Sequence, residues 1–188
     1  MWCNMYPTKM EANGHIYPIN TDYRVALACF RAMYDSEITN LERGYAIQTL
    51  LLGDEVNPLD ENIITEKIKL YLRCGKEEDI DIKEVDYDYI QDEEITRTSI
   101  RQCYHLNLNE LPYLHWYEYN ELISGLTNDS VINCIRELRG RDASEINDEK
   151  NRNKLLEAQK RIALKDFHVK TDEEKELDEF WNSVTGGE

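Results

Sequence analysis

The chain has 188 residues, 41% hydrophobic and 32% charged, with 8 glycines and 4 prolines, a composition that excludes low-complexity and collagen-like chains and predicts a helix-rich globular protein able to bury about 70% of its unfolded surface. Thirty-eight acids against 22 bases leave a net charge of -16, which argues against nucleic acid or an anionic lipid surface as a partner. The longest apolar patch, YAIQTLLLG at 45–53, is far shorter than the ~18 to 20 residues of a membrane span. The opening MWCNMYPTKMEANG has no basic segment followed by an apolar one, so an intracellular location is expected.

In chain order, Asn13-Gly14 between short semi-apolar runs predicts a type I′ hairpin within 10–19, the only sheet expected. From Thr21 or Asp22, as cap, Tyr23, Ala26, Leu27, Phe30 and Tyr34 recur at three- and four-residue steps and predict a helix. Thr39 to Glu42 has capping-box spacing and opens a helix to about Leu52, with Gly53 as its stop. Asn57-Pro58 starts another, ending at Gly75.

Between Glu77 and Glu94 lie ten acids and one base, Lys83. Without a turn glycine the run is no calcium loop, which leaves a solvated acidic linker or an acidic docking strip for a basic partner. Next, DEEITRTSIRQCYHLNL predicts a helix with Ile95, Ile100 and Tyr104 inward, and Asn128 or Asp129 begins one with Val131, Ile132, Ile135 and Leu138 as its apolar stripe. Short connections between such helices predict antiparallel packing. Beyond Gly140 the chain becomes a charged helical pattern with little apolar content, then TDEEKELDEFWNSVTGGE with a capping box at Thr171 to Glu174. The expectation is a mainly α fold: a helical bundle with a short N-terminal β-hairpin over 1–140, and a charged C-terminal helical arm and tail over 141–188.

No residue pattern carries chemistry. The histidines His15, His105, His115 and His168 form no H-x-x-x-H or H-E-x-x-H spacing, and there is no phosphate cradle, dinucleotide fingerprint or nucleophile elbow. The five cysteines, Cys3, Cys29, Cys74, Cys103 and Cys134, are odd in number and lack a C-x-x-C pair, so they are expected as small buried hydrophobes. A Cys103–His105 or Cys103–His115 pair through space carries only the weight of any arbitrary cysteine and histidine. No catalytic residue, metal or cofactor is expected, and the protein is read as a non-enzyme.

The aromatic stretch PYLHWYEYNELISGL at 112–126 stands out. At about 100° per residue Leu111, His115, Trp116, Tyr119, Leu122, Ile123 and Leu126 share one arc and read as the core face of a helix. Leu114 and Tyr117 fall outside that arc and are expected to be exposed, as a partner or oligomer contact. Phe167, Phe180 and Trp181 in the C-terminal arm are further candidates for partner contact.

The stretch 107–142, with its run Leu114, His115, Trp116, Tyr117, then Leu122, Gly125, Leu126, then Ile132, Ile135 and Arg139, resembles a family of tail proteins from siphophages and prophages of Gram-positive bacteria, encoded close before the tape-measure protein. INTDYRVAL and DSEITNLERGYAIQTLLLG, within 19–53, are similar to that family's opening helices, and the resemblance spans 19–167 with a poor stretch at 55–85. The chain departs from the family where Tyr117, Glu118 and Tyr119 stand in place of a second tryptophan and Lys-Phe. The resemblance implies a tail assembly chaperone: a mostly helical protein of the bacterial host's cytoplasm, absent from the mature virion, that coats the tape-measure protein in several copies until tail tube protein polymerises around it. The rival expectation, from the charge and the 77–94 run, is an acidic prophage-encoded inhibitor or nucleic-acid mimic binding a basic host protein.

Overall fold

The computed structural model describes residues 6–76 and 86–165. They group into two compact units, residues 6–76 with 112–121, and 86–111 with 122–165. The chain thus leaves its first unit and returns to it, whereas composition alone suggests a linear division at residue 140.

The first unit opens with the hairpin β1 (Lys9–Ala12) and β2 (His15–Pro18), antiparallel with Met10 opposite Tyr17. Asn13 at φ 48° and Gly14 at φ 85° supply the two left-handed positions of a type I′ turn. Met10, Ala12 and Tyr17 face the core and Ile16 faces out. Helix α1 (Tyr23–Tyr34) is capped by Asp22, whose carboxylate accepts the Arg24 N–H at 2.9 Å, and it buries Tyr23, Ala26, Leu27 and Cys29. Helix α2 (Asn40–Leu52) lies along α1. Its capping box is complete: the Glu42 N–H donates to Thr39 Oγ1 at 3.3 Å and the Thr39 N–H to Glu42 Oε2 at 2.8 Å. The stop is Gly53, at φ 80°.

Asn57 accepts the Leu59 N–H at 3.0 Å, and a 3-10 turn, Pro58–Asp60, leads into α3 (Glu61–Leu72). The helix ends three residues before Gly75, closing through Cys74 and Gly75, both left-handed. Asp60, fully buried at the start of α3, joins the hairpin to it by accepting from Asn13 Nδ2 at 2.7 Å, the Tyr17 hydroxyl, and His15 Nδ1 at 2.7 Å. The Tyr17 bond leads in holding the Asp60 carboxyl below its ordinary 3.8, against the burial that pushes it up. A depressed carboxyl stabilises the fold above the ordinary value and loses that contribution as pH falls through the folded value. We expect Asp60→Asn to flatten the acid side of the melting-temperature profile below about pH 4, read by circular dichroism against wild type; an unchanged profile would show that Asp60 is not charged in the fold.

The second unit holds α4 (Glu93–Tyr104), α6 (Val131–Gly140) and α7 (Glu149–Ile162). Helices α4 and α6 meet through small polar residues: Ser99 Oγ donates to Ile95 O at 2.9 Å and accepts the Ile132 N–H at 3.0 Å, satisfying an orphan donor of the first turn of α6. Thr96, Ser99 and Ile100 are the buried residues of α4, so the expected inward set is corrected: Ile95 is half-buried and Tyr104 is exposed, its hydroxyl donating to Leu122 O at 3.0 Å. On α6 the cap is Ser130, not Asn128 or Asp129 as expected; Val131 of the stripe lies at the surface and Ile132 is fully buried.

The charged helix α7 is docked. It buries Leu155, Gln159 Nε2 donates to Arg141 O at 2.6 Å, and Arg139 Nε donates to Ile162 O at 2.7 Å. Arg139 also grips Asp92 with two bonds of 2.7 Å each, and both side chains are nearly solvent-free, 9% and 1% exposed. Asp88 and Asp92, buried members of the acidic run, are spent inside the fold: the Asp88 carboxylate accepts the Ile90 and Gln91 N–H groups, and Asp92 holds Arg139. Neither a solvated linker nor a docking strip describes these two residues.

Helix α5 (Trp116–Ser124) is shorter than its apolar arc suggested. Residues 112–115 run extended because the chain pairs there with 21–23: the Tyr23 N–H donates to Leu114 O at 2.9 Å and the Trp116 N–H to Thr21 O at 2.8 Å. Long-range backbone bonds take the carbonyl and amide that a local helix would have used.

Candidate functional site

That pairing places His115 and Trp116 on adjacent sides of one strand-to-helix junction. Trp116, wholly buried, stacks on Tyr119 at 5.8 Å between ring centres, lies against Phe30 at 5.8 Å, and donates its indole N–H to Leu72 O at 3.1 Å. Tyr23 stacks in turn on Tyr119 at 4.7 Å. His115, 4% exposed, is sandwiched differently: Tyr6 stacks on it at 4.7 Å while Tyr71 and Tyr117 meet it edge-on at 6.4 and 5.5 Å.

The hydrogen bonds determine the state of that imidazole. Nδ1 accepts the Tyr117 N–H at 3.0 Å, so the ring proton sits on Nε2 and is donated to Pro7 O at 3.2 Å. Burial pushes the His115 pKa below its ordinary value, outweighing the Pro7 carbonyl that pulls it up. A neutral ring with both nitrogens committed joins three stretches of chain and has no free nitrogen for proton transfer. The surrounding groups are equally quiet: burial pushes the Cys74 thiol and the Tyr117 hydroxyl each up to about 12, and the bond to Glu121 Oε2 at 2.6 Å, first among its causes, raises Tyr6 to about 12. Tyr71 carries a buried hydroxyl without a hydrogen-bond partner, and burial raises its pKa.

The expected site residues fare differently. His115, Trp116 and Tyr117 come together as described. The exposed edge does not form: Leu114 is only 5% exposed, and Tyr117 is half-buried with its ring 5.4 Å from Tyr71. The extended backbone at 112–115 turns Leu114 inward, where a helix would have turned it out. In the second unit Leu126 is buried, Leu122 is half-buried and Gly125 is exposed just past the end of α5. Phe167, Phe180 and Trp181 lie outside the described residues.

Exposed apolar surface lies instead where no site was expected. Leu59 is 84%, Leu41 76% and Tyr45 60% exposed, all in the first unit. The sequence carried a signal for α2: Leu41, Tyr45, Ala46, Ile47, Leu50, Leu51 and Leu52 are more apolar residues than one buried stripe of a 13-residue helix can use. Only Leu51 is fully buried there.

Among the described residues no group of three or more His, Cys, Asp or Glu side chains is placed to hold a metal ion, and no helix is long and apolar enough to cross a membrane. The thiol of Cys103 faces Thr127 Oγ1 at 3.4 Å, and His105 is the left-handed cap ending α4. In comparison with known proteins, the family described as bacteriophage Gp15 protein matches residues 4–164. No curated protein and no solved structure matches the chain.

Proposed function

Because the chain belongs to the bacteriophage Gp15 protein family, we propose that it is a non-enzymatic tail assembly chaperone that binds the phage's tape-measure protein and keeps it soluble until the tail tube assembles. In this reading it works in the host cytoplasm in several copies along one long partner, meets tail tube protein as the tube grows, and is left out of the finished virion. The observation that supports the reading is the exposed apolar surface of the first unit on a chain of net charge -16. Apolar side chains cover a partner's helical surface while the acidic remainder keeps the complex dispersed. Weak contacts repeated along a long partner gain avidity, so no deep pocket is needed. The rival reading as an acidic inhibitor loses ground, because Asp88 and Asp92 of the run it relies on are turned inward.

Co-expression with the tape-measure protein encoded beside it tests the proposal. The expected result is tape-measure protein in the soluble fraction and on an affinity resin only when this chain is present. Equal solubility with and without the chain, and no co-purification, would overturn the reading.

A further inference from the structure

We infer that the outer face of α2 and the groove beside β2 form one docking surface for a basic amphipathic helix. At ~100° per residue Leu41, Tyr45 and Leu52 fall within about 40° of one another, while Leu51, the buried residue of the helix, lies about 80 to 120° away. Leu52 also lines an open groove with Ile16, Val56 and Glu55, so this face of α2, with Gln48 between Tyr45 and Leu52, leads from the start of the helix to the groove beside the hairpin. Ile16 is 57% exposed in that groove. A strip with leucine at one end and an accessible tyrosine ring matches the way grooves take the apolar face of a helix.

Charge selects the occupant. From Asp35 to Val56 the chain carries five acids, Asp35, Glu37, Glu42, Asp54 and Glu55, and one base, Arg43. Arg43 is turned away from this face to tie down the turn before the helix: Nε donates to Ala32 O at 3.1 Å, Nη2 to Asp35 O at 2.7 Å, and Nη1 to Asn40 Oδ1. The rim offered to a partner is therefore acidic, and lysine or arginine flanking an apolar stripe complements it. A second copy of this chain does not, since pairing the two faces would oppose their acids on two chains of net charge -16 each. This inference rests on the chaperone reading for the identity of the natural partner, and on the surface alone for its chemistry.

The probe is a fluorescently labelled synthetic peptide of about 20 residues with leucine at helical i, i+3, i+4, i+7 spacing and lysine elsewhere. Its affinity for the full chain is measured by anisotropy beside a scrambled peptide of the same composition and a leucine–glutamate counterpart. The expected result is binding of the first peptide alone, weakened about tenfold or more by Leu41→Ser with Tyr45→Ser, and also by Glu37→Lys with Glu55→Lys. All four positions are exposed, so the variants keep the wild-type melting temperature. Equal binding of the scrambled peptide, or no effect of the Leu41/Tyr45 variant, would overturn the inference. So would sedimentation showing a wild-type dimer that this variant dissolves, which would make the face a self-contact, or tighter peptide binding after serine replaces Phe180 and Trp181, which would make the chain's own tail the occupant. If tape-measure protein still co-purifies with the Leu41/Tyr45 variant, the surface fails and the chaperone reading stands. Peptide binding without tape-measure capture by wild type would have the opposite meaning.

Discussion

Arg139→Ala is expected to destabilise the second unit by about 3 to 5 kcal/mol, the cost of breaking a buried ion pair from one side. Three groups lose their partner at once. Asp92, 1% exposed, keeps a carboxylate with only the Asp88 N–H at 3.0 Å, and the carbonyls of Ile162 and Asp86 lose donors at 2.7 and 2.8 Å. These bonds tie the end of α6 to the entry of α4 and the exit of α7, so the damage should spread to all three helices. Urea denaturation followed by circular dichroism gives the measurement. The double variant Arg139→Met with Asp92→Leu removes both charges and should recover part of the loss, but not all, because the Asp88 N–H and both carbonyls stay unpaired. A single variant within about 0.5 kcal/mol of wild type would mean that solvent reaches the pair.

Trp116→Ala is the second large effect, again about 3 to 5 kcal/mol, from the lost packing of a wholly buried ring. The ring touches Phe30 of α1 and Tyr119 of α5, and its indole N–H satisfies the Leu72 carbonyl at the end of α3. Trp116→Phe retains much of the stacking and loses that hydrogen bond, so its cost should be well under half that of alanine. Equilibrium unfolding of the two variants distinguishes a structural role from a binding one. If the alanine variant kept wild-type stability and lost only its partner, the aromatic cluster would be a binding surface after all.

Local rules acted where the argument needed only neighbours in sequence. Asn13-Gly14 has the two residues that tolerate left-handed backbone, the Thr39–Glu42 box satisfies its own amides, and Asn57-Pro58 pairs a side-chain cap with a residue that lacks a donor. The first two formed as expected, and the third caps a 3-10 turn that leads into α3 at Glu61. His115 and Trp116 are buried, as their place on the apolar arc predicted. Periodicity misled at residues 112–115, where the 3.6-residue arc is present but the backbone bonds instead to the distant stretch 21–23, through the Tyr23–Leu114 and Trp116–Thr21 hydrogen bonds that flank the bridge between Asp22 and His115. That choice moved Leu114 from surface to core.

What the sequence determined by itself was therefore the mainly α class, the hairpin, most helix starts and the membership of the aromatic core, because each depends on local propensity or on apolar content. The tertiary structure alone decided which charges are interior and which apolar residues are not. Asp60, Asp88, Asp92 and Arg139 look in sequence like any other charges of an acidic chain, and become buried only because distant donors and acceptors meet them. Leu41 and Tyr45 look like core residues, and stay outside because α1 covers only one side of α2. Whether a residue finds a partner depends on elements far away in the chain, and pattern within one helix carries no record of them.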